Sequence, residues 1–271
     1  IRKQYRKALN KELAVDETEN GNTSLTPLPR TIMDEMDLSL ALNKREYKRE
    51  LVEAQARLAN LQHKAMQQGT TLMLVFEGPD AAGKGGAIRR VTHALDARYY
   101  KVHPFAAPTD VENQFHYLWR FWRHMPPAGN LVIFDRTWYG RVTVERIEGF
   151  AKPQEWQRAY GEINDFEEQL AERGMVVLKF WLHISQEEQL ARFQAREKTS
   201  YKKYKITEED YRNRAKWEDY LLAVNEMIAK TDTANAPWHI VPANNKYFAR
   251  IFVLKAVSDA LAKAIKKADK K

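Results

Sequence analysis

Apolar side chains recur at spacings of three and four residues between Asn43 and Gln67. The positions are Leu51, Ala54, Leu58, Leu61 and Ala65. Because an α-helix repeats every 3.6 residues, this spacing places the apolar side chains on one face. We therefore predict a long amphipathic helix that ends at Gly69.

A short apolar run without alternation follows at Thr71–Phe76. Runs of this kind are typical of strands that are buried on both faces, as in a parallel sheet. Four further segments have strand-like patterns: Tyr99–Val102, Asn130–Phe134, Val176–Ile184 and Trp238–Val241. Helical patterns separate the five segments. The chain is therefore predicted to fold as an α/β protein, with a central five-stranded parallel sheet covered by helices.

Helix starts are marked by three capping boxes, in which a Ser or Thr side chain and an acidic residue three positions later cap each other. They begin at Thr109, Ser185 and Thr207. The last helix is predicted over about Lys246–Lys267.

The domain organisation is simple. Residues 1–36 mix charged residues with Asn, Pro and Thr without sustained periodicity, and we interpret them as an N-terminal arm or linker. Residues 37–271 are predicted to form one domain. The first residue is Ile1 rather than Met, which suits a piece of a longer protein.

Composition narrows the classes of function. The 271 residues include no Cys, which excludes disulfides, thiolate nucleophiles and Cys-ligated zinc, and fits a cytoplasmic location. No apolar run is long enough to span a bilayer. Nucleic acid, a membrane surface and phosphate polymers are all open as polyanionic partners on composition alone, and the expectation adopted is no membrane partner. The net charge of +8 favours a polyanionic partner without identifying it.

The strongest chemical signal is the segment Gly78–Gly86, which reads Gly-Pro-Asp-Ala-Ala-Gly-Lys-Gly-Gly and lies between a buried strand and the predicted helix Ala87–Leu95. Glycines let backbone N–H groups curl around a phosphate, and the helix directs the positive end of its dipole there. Lys84 adds a mobile charge for the transferred group. The plainer alternative is a glycine-rich turn with a surface lysine. The Gly-x₄-Gly-Lys spacing favours a phosphate loop (P-loop).

The loop departs from the common P-loop at Gly85, where a Ser or Thr normally binds Mg²⁺. Another oxygen must then hold the metal, and Asp80 is the obvious candidate. The strand Leu131–Phe134 ends in Asp135 and Arg136. A carboxylate at that place is typical of a Walker B aspartate. We predict that Asp80 and Asp135 bind Mg²⁺ and that Arg136 faces a phosphate. Asp135 as a helix N-cap is the alternative, and it is compatible with metal binding.

A basic segment lies between the fourth strand and a later helix. Nine basic and four acidic residues occur between Arg192 and Lys216, so this segment holds five of the eight excess positive charges. We predict a helical lid over about 192–216 that closes over phosphates. A solvated, charged pair of helices would have the same composition.

With these motifs assembled, the chain resembles the family-2 polyphosphate kinases from about Leu38 to Ile251. The resemblance is carried by Gly78–Gly86, by Ala107–Asp110, by Tyr117–Arg123 and by Asp135–Arg146, and the lid and Lys216–Tyr220 extend it. That family shares both departures of the loop, Asp within it and Gly after the lysine.

The resemblance implies a thymidylate-kinase-like P-loop kinase fold and Mg²⁺-dependent phosphoryl transfer between inorganic polyphosphate and an adenine nucleotide. Gly140 and the stretch 141–150 resemble the polyphosphate:AMP phosphotransferase branch, although ADP or GDP as acceptor remains an alternative. Some members of that branch carry two fused copies of the domain. A homodimer, or pairing with a second copy in a longer chain, is therefore expected.

Site residues follow from the loop, the lid and the family motif. Lys84, Asp80, Asp135 and Arg136 match active-site positions of the family. Phosphate binding is assigned to Gly78, Ala82, Gly83, Gly85, Gly86, Arg192, Arg196 and Lys203. Nucleotide binding is assigned to Trp138, Tyr139 and Arg141. Aromatic residues such as Trp138, Trp217 and Tyr220 could stack on adenine or simply fill the core.

Three rivals remain: an ATP-dependent nucleoside monophosphate kinase, a non-catalytic binding module, and a nucleic-acid-binding domain that stacks bases on the lid tyrosines. Intact Lys84, Asp80 and Asp135 argue against the binding module. We expect no nucleic-acid partner.

Overall fold

The computed structural model of the chain describes residues 32–269, except for the side chains of residues 202, 203 and 205. Within this range the strands are β1 (Leu72–Glu77), β2 (Tyr100–Pro104), β3 (Leu131–Asp135), β4 (Val176–His183) and β5 (Trp238–Pro242). The strands form one parallel sheet in the order β2-β3-β1-β4-β5. All five predicted strands and the predicted parallel sheet are confirmed.

Helices cover both faces of the sheet. They are α1 (Lys44–Gln67), α2 (Lys84–Thr92), α3 (Trp119–Trp122), α4 (Val144–Ile147), α5 (Pro153–Glu172), α6 (Gln186–Glu197), α7 (Glu208–Ala215), α8 (Trp217–Thr231) and α9 (Lys246–Ala268). Short 3₁₀ helices occur at Ala97–Tyr99, Glu112–Gln114, Trp138–Val142 and Ser200–Lys205. Among the described residues, no helix is both long and apolar enough to cross a bilayer.

The two faces of β1 explain why its apolar run does not alternate. Leu72, Leu74 and Phe76 pack into a core with α1, α2 and α9. Met73 and Val75 point to the opposite face and pack into a second core with α5 and α8. Since both faces of the strand are covered, every position must be apolar up to the strand end.

The start of the domain differs from the predicted boundary at residue 36. Met33 is only 4% exposed, and it belongs to the second core together with the partly buried Ile32 and Met36. Residues 32–36 of the predicted arm therefore pack against the domain. The rest of the arm lies outside the described residues.

The capping boxes have different outcomes. Of the three predicted boxes, the one at Thr207 forms completely, at α7. A further complete box, which the sequence analysis did not predict, forms at Asn43 before α1. Ser185 caps α6 by accepting a hydrogen bond from the Glu188 amide, but the Glu188 carboxylate binds Arg192 instead. The box at Thr109 forms, yet it precedes only the 3₁₀ turn Glu112–Gln114.

A buried ion pair joins the sheet to α5. Lys179 of β4 and Glu167 of α5 are both 0% exposed, and the Lys179 Nζ to Glu167 Oε2 distance is 2.7 Å. The Lys179 ammonium also donates to Tyr139 Oη at 2.8 Å and to the Thr231 carbonyl at 2.7 Å. All three of its protons therefore have acceptors, which is what a buried ammonium requires.

Replacing Lys179 with methionine is expected to lower the free energy of unfolding by about 3–5 kcal/mol, because Glu167 would then be a buried charge without its partner. Urea denaturation followed by circular dichroism measures the effect. The same substitution at Lys101, an exposed position on β2, is the control. An unchanged urea midpoint for Lys179→Met would contradict the structural role of the pair.

Candidate active site

The loop between β1 and α2 depends on glycine at two positions. Gly78 has a φ of 145°, and a Cβ atom there would lie 2.5 Å from the Leu182 carbonyl oxygen of β4. Gly83 has a φ of 109° and directly precedes α2, which begins at Lys84 rather than at the predicted Ala87. Both positive φ angles are readily adopted by glycine and rarely by other residues. At Gly78, the neighbouring strand also leaves no room for a side chain.

The backbone amides of this loop are available to an anion. Gly83, Lys84 and Gly85 donate no backbone hydrogen bond within residues 32–269, and no side chain caps α2. The free amides lie at the N-terminus of the helix, where its dipole is positive. This combination makes a ready site for phosphate oxygens.

The Lys84 ammonium lies over the same loop. It donates hydrogen bonds to the Gly78 carbonyl and, at 3.3 Å, to the Pro79 carbonyl. These are neutral acceptors, so a phosphate that enters the loop would offer the ammonium a stronger, charged partner.

Asp135 and Arg136 lie beside the loop because β3 pairs with β1. Asp135 aligns with Phe76, one residue before the end of β1. Arg136 has a φ of 67°, which is unfavourable for a residue with a side chain and costs about 1–3 kcal/mol. In this conformation the Arg136 guanidinium contacts the loop. Its Nη2 atom lies 3.1 Å from Asp80 Oδ1.

The two predicted magnesium ligands both line the cleft above the loop. Asp80 accepts hydrogen bonds from Arg136 on Oδ1 and from Asn213 on Oδ2. The Asp135 carboxylate accepts none from the described residues. No cluster of three His, Asp or Glu side chains with metal-binding geometry occurs in the described part of the chain. Two carboxylates completed by waters and phosphate oxygens suit Mg²⁺, which keeps part of its hydration shell.

Sequence reasoning missed Glu77, the last residue of β1. It is 8% exposed, lines the cleft and accepts a hydrogen bond from Thr137 Oγ1 at 2.7 Å. Burial raises the pKa of Glu77, and the Thr137 hydroxyl and the charges of Lys84 and Arg136 oppose that shift. Its place at a strand end was a usable signal, because ligands of parallel sheets gather at the carboxyl ends.

The cleft has a volume of about 860 Å³, which is ample for a nucleotide and part of a phosphate chain. The cleft is also lined by Phe105, Thr143, Trp217 and Tyr220. Trp217 and Tyr220, whose role the sequence left open, thus reach the cleft. His183 also lines it, and burial lowers the pKa of His183 to about 4, so the imidazole is neutral at pH 7.

The segment that the sequence assigns to a lid follows β4 and consists of the end of α6, the 3₁₀ helix Ser200–Lys205 and α7. Arg196 lines the cleft, as do Tyr204 and Asn213. Most of the other basic side chains that the structure describes in this segment are engaged elsewhere. Arg212 and Lys216 pair with Glu148, and Arg214 donates to the Gln186 carbonyl. The side chain of Lys203, a predicted phosphate ligand, lies outside the described residues.

Three assignments change in the structure. Trp138 and Tyr139 are 1% and 0% exposed, and both donate to the buried Glu167 carboxylate. They fill the core and cannot stack on a nucleotide. Arg192 is 4% exposed and lies behind the loop, where backbone carbonyls and Glu188 take its donors. It cannot reach a phosphate in the cleft.

Arg141, the third predicted nucleotide ligand, lies next to the cleft rather than on its surface. Its guanidinium pairs with Glu145 at 3.1 Å and packs over the Tyr117 ring at 4.6 Å from the centroid. Its neighbours Gly140 and Thr143 line the cleft.

A parallel sheet with a glycine loop and lysine after its central strand, and with an aspartate at the end of the adjacent strand, defines the class of P-loop kinases. Comparison with known proteins identifies the family within that class. The family model described as Polyphosphate kinase 2 (PPK2) matches residues 41–270. The chain belongs to the polyphosphate kinase 2 family.

Individual relatives agree with this assignment. A polyphosphate:AMP phosphotransferase from Pseudomonas aeruginosa is 57% identical over 238 residues, which cover 88% of this chain and 48% of that protein. An ADP-polyphosphate phosphotransferase from the same organism is 39% identical, covering 78% of this chain and 69% of that protein. The crystal structure of Polyphosphate Kinase 2 from Arthrobacter aurescens TC1 superposes with a TM-score of 0.82 at 38% identity, covering 84% of each chain. The chain spans about half the length of the polyphosphate:AMP phosphotransferases from two Pseudomonas species that it matches.

Proposed function

We propose that this chain transfers a phosphoryl group between inorganic polyphosphate and an adenine nucleotide, with AMP as the acceptor and Mg²⁺ as the cofactor. One observation carries the proposal. The free amides of Gly83, Lys84 and Gly85 face the same cleft as Asp135 and Arg136, so anion-binding and metal-binding groups meet at one place.

The acceptor in this reaction is a nucleotide phosphate oxygen, which is already ionised at neutral pH. It needs no general base. The task of the protein is to hold two polyanions in line and to offset their repulsion. The loop amides and Lys84 would bind the transferred phosphate, with Arg136 and Arg196 on its other sides. Mg²⁺, held by Asp80 and Asp135, would supply charge neutralisation for the phosphate oxygens.

AMP is favoured over ADP as the acceptor by sequence identity. The relative named for AMP is 57% identical to this chain, whereas the relative named for ADP is 39% identical. We further propose that the domain works as a homodimer or beside a second copy in a longer chain, since the AMP-named relatives are long enough for such a copy. A cytoplasmic location is part of the proposal, because free adenine nucleotides are its substrates.

A matrix of acceptors and donors tests the function. AMP, ADP and GDP are each combined with polyphosphate or ATP at saturating Mg²⁺, and nucleotide products are separated by ion-exchange chromatography. We expect AMP with polyphosphate to give the highest kcat/KM, by about tenfold or more over ADP. Faster transfer from ATP than from polyphosphate would support an ordinary nucleoside monophosphate kinase instead. No transfer in any combination, with retained binding of single-stranded nucleic acid, would overturn the proposal.

A further inference from the structure

A single buried side chain holds the phosphate loop from behind. The guanidinium of Arg192, on α6, donates from Nη1 to the carbonyls of Ala81 and Ala82, both at 2.9 Å. Its Nη2 donates to the carbonyls of Ala243 and Asn244 at 2.6 and 2.8 Å. Its Nε donates to Glu188 at 2.6 Å. A guanidinium has five N–H donors, and all five are used within the protein.

Gln189 extends this contact by one residue. It lies one helical turn before Arg192, and its Nε2 donates to the Asp80 carbonyl at 3.1 Å. One face of α6 therefore holds three consecutive carbonyls of the loop, those of Asp80, Ala81 and Ala82. In a planar trans peptide unit the C=O and N–H groups point in opposite directions. Holding the carbonyls of Asp80 and Ala82 toward α6 directs the amides of Ala81 and Gly83 away from it.

The held carbonyls also define an unusual backbone conformation. Ala81 has a φ of 62°, in the left-handed region that residues with side chains rarely adopt. A free loop would relax from this conformation, so external contacts must maintain it. The hydrogen bond from Arg192 to the Ala81 carbonyl is such a contact. Arg192 also links the loop to the segment after β5, since it binds the Ala243 and Asn244 carbonyls there.

The same helix leads to the lid. Arg196 lies one turn after Arg192 on α6 and lines the cleft. The helix that fixes the loop therefore also fixes the first basic side chain of the lid. The loop amides and Arg196 are consequently held at a set distance by one rigid element.

We propose that Arg192, supported by Gln189, is a positioning residue for phosphoryl transfer. It sets the loop carbonyls so that the amides and Arg196 converge on the transferred phosphate, and it makes no phosphate contact itself. This role rests on the proposed function, because it assigns geometry to the same site.

Arg192→Lys tests the role, since lysine keeps the charge but cannot span four carbonyls with a planar fork. We expect kcat to fall about tenfold to a hundredfold, as small displacements in a reacting geometry do. The dissociation constant for inorganic tripolyphosphate, measured by isothermal titration calorimetry, is expected to change less than about threefold. Arg158→Lys, at a largely exposed position on α5, is the matched control and should leave both values unchanged.

A lost affinity for tripolyphosphate with an unchanged kcat would overturn the proposal, because it would mark a direct phosphate contact. Wild-type values for both constants would also overturn it. If Arg192→Lys does not fold, Gln189→Ala is the second variant, which removes the contact with the Asp80 carbonyl and a longer hydrogen bond from Arg214 at 3.4 Å. A several-fold lower kcat with normal circular dichroism is expected, and an unchanged kcat counts against the role.

Wild-type protein without transfer activity would defeat the proposed function separately. In that case, hydrogen exchange of the Ala82 amide, which donates to the Pro79 carbonyl within the loop, remains the readout. Exchange should be faster in both variants than in the wild type, and equal exchange rates in all three proteins would reject the positioning role.

Discussion

Replacing Lys84 with alanine is expected to lower kcat/KM for polyphosphate-dependent transfer by about a hundredfold or more, as loss of a transition-state donor does. The Lys84 ammonium lies over the free amides of the loop, and its hydrogen bonds to described residues go to the neutral carbonyls of Gly78 and Pro79. Those contacts bind the charge weakly enough for a phosphate to take their place. A coupled assay that detects the nucleotide product measures the loss.

The control for this variant is Arg89→Ala, which removes a positive charge from the exposed side of the same helix. Arg89 does not line the cleft, so its loss changes the net charge but not the site. Circular dichroism should be unchanged in both variants, because Lys84 contributes no buried packing. Turnover of Lys84→Ala within a few-fold of the wild type would remove this lysine from the mechanism.

The fold was predictable because its central strand has a distinctive pattern of apolar residues. The run Leu72–Glu77 is apolar without alternation because a helical layer packs on each face of the central strand, and few other environments demand that pattern. The box at Thr109 was misleading for a local reason. Its hydrogen bonds form as expected, but they stabilise only the 3₁₀ turn at Glu112–Gln114.

Parts of the site were predictable from the same logic. Asp135 follows a buried strand, and pairing of β3 with β1 necessarily brings it beside the loop. The assignment of Trp138 and Tyr139 to nucleotide binding was wrong, although both residues are close to Asp135 in the sequence. Both side chains point into the core, where they donate hydrogen bonds to the buried carboxylate of Glu167. Glu167 is at least 28 residues away in the sequence, so no local pattern reveals it as their partner.

Arg192 shows the limit of charge counting. A basic residue four positions before Arg196 looks like a second lid arginine, yet the two differ by their surroundings in the fold. Arg196 lines the cleft. Arg192 instead donates hydrogen bonds to carbonyls of two loops that are about 160 residues apart in the chain. The positive charge of the lid segment is accordingly divided between holding the structure and facing the substrate.

Replacing Asp135 with asparagine is expected to lower kcat/KM by about a hundredfold or more and to raise the Mg²⁺ concentration needed for half-maximal rate. An amide oxygen has the size of a carboxylate oxygen but lacks the charge that Mg²⁺ prefers. Since the Asp135 carboxylate accepts no hydrogen bond from the described residues, the substitution breaks no internal contact. Folding should therefore be intact, and the defect should lie in metal-dependent transfer.

A titration of rate against Mg²⁺ at fixed polyphosphate and AMP separates this effect from a general loss of activity. Asp165→Asn, at an exposed position on α5, is the matched control, and its half-maximal Mg²⁺ concentration should equal that of the wild type. High Mg²⁺ should restore part of the rate in Asp135→Asn, because the second carboxylate, Asp80, is still present. An unshifted Mg²⁺ titration would exclude Asp135 as a ligand and leave Asp80 as the only candidate carboxylate assigned from the sequence.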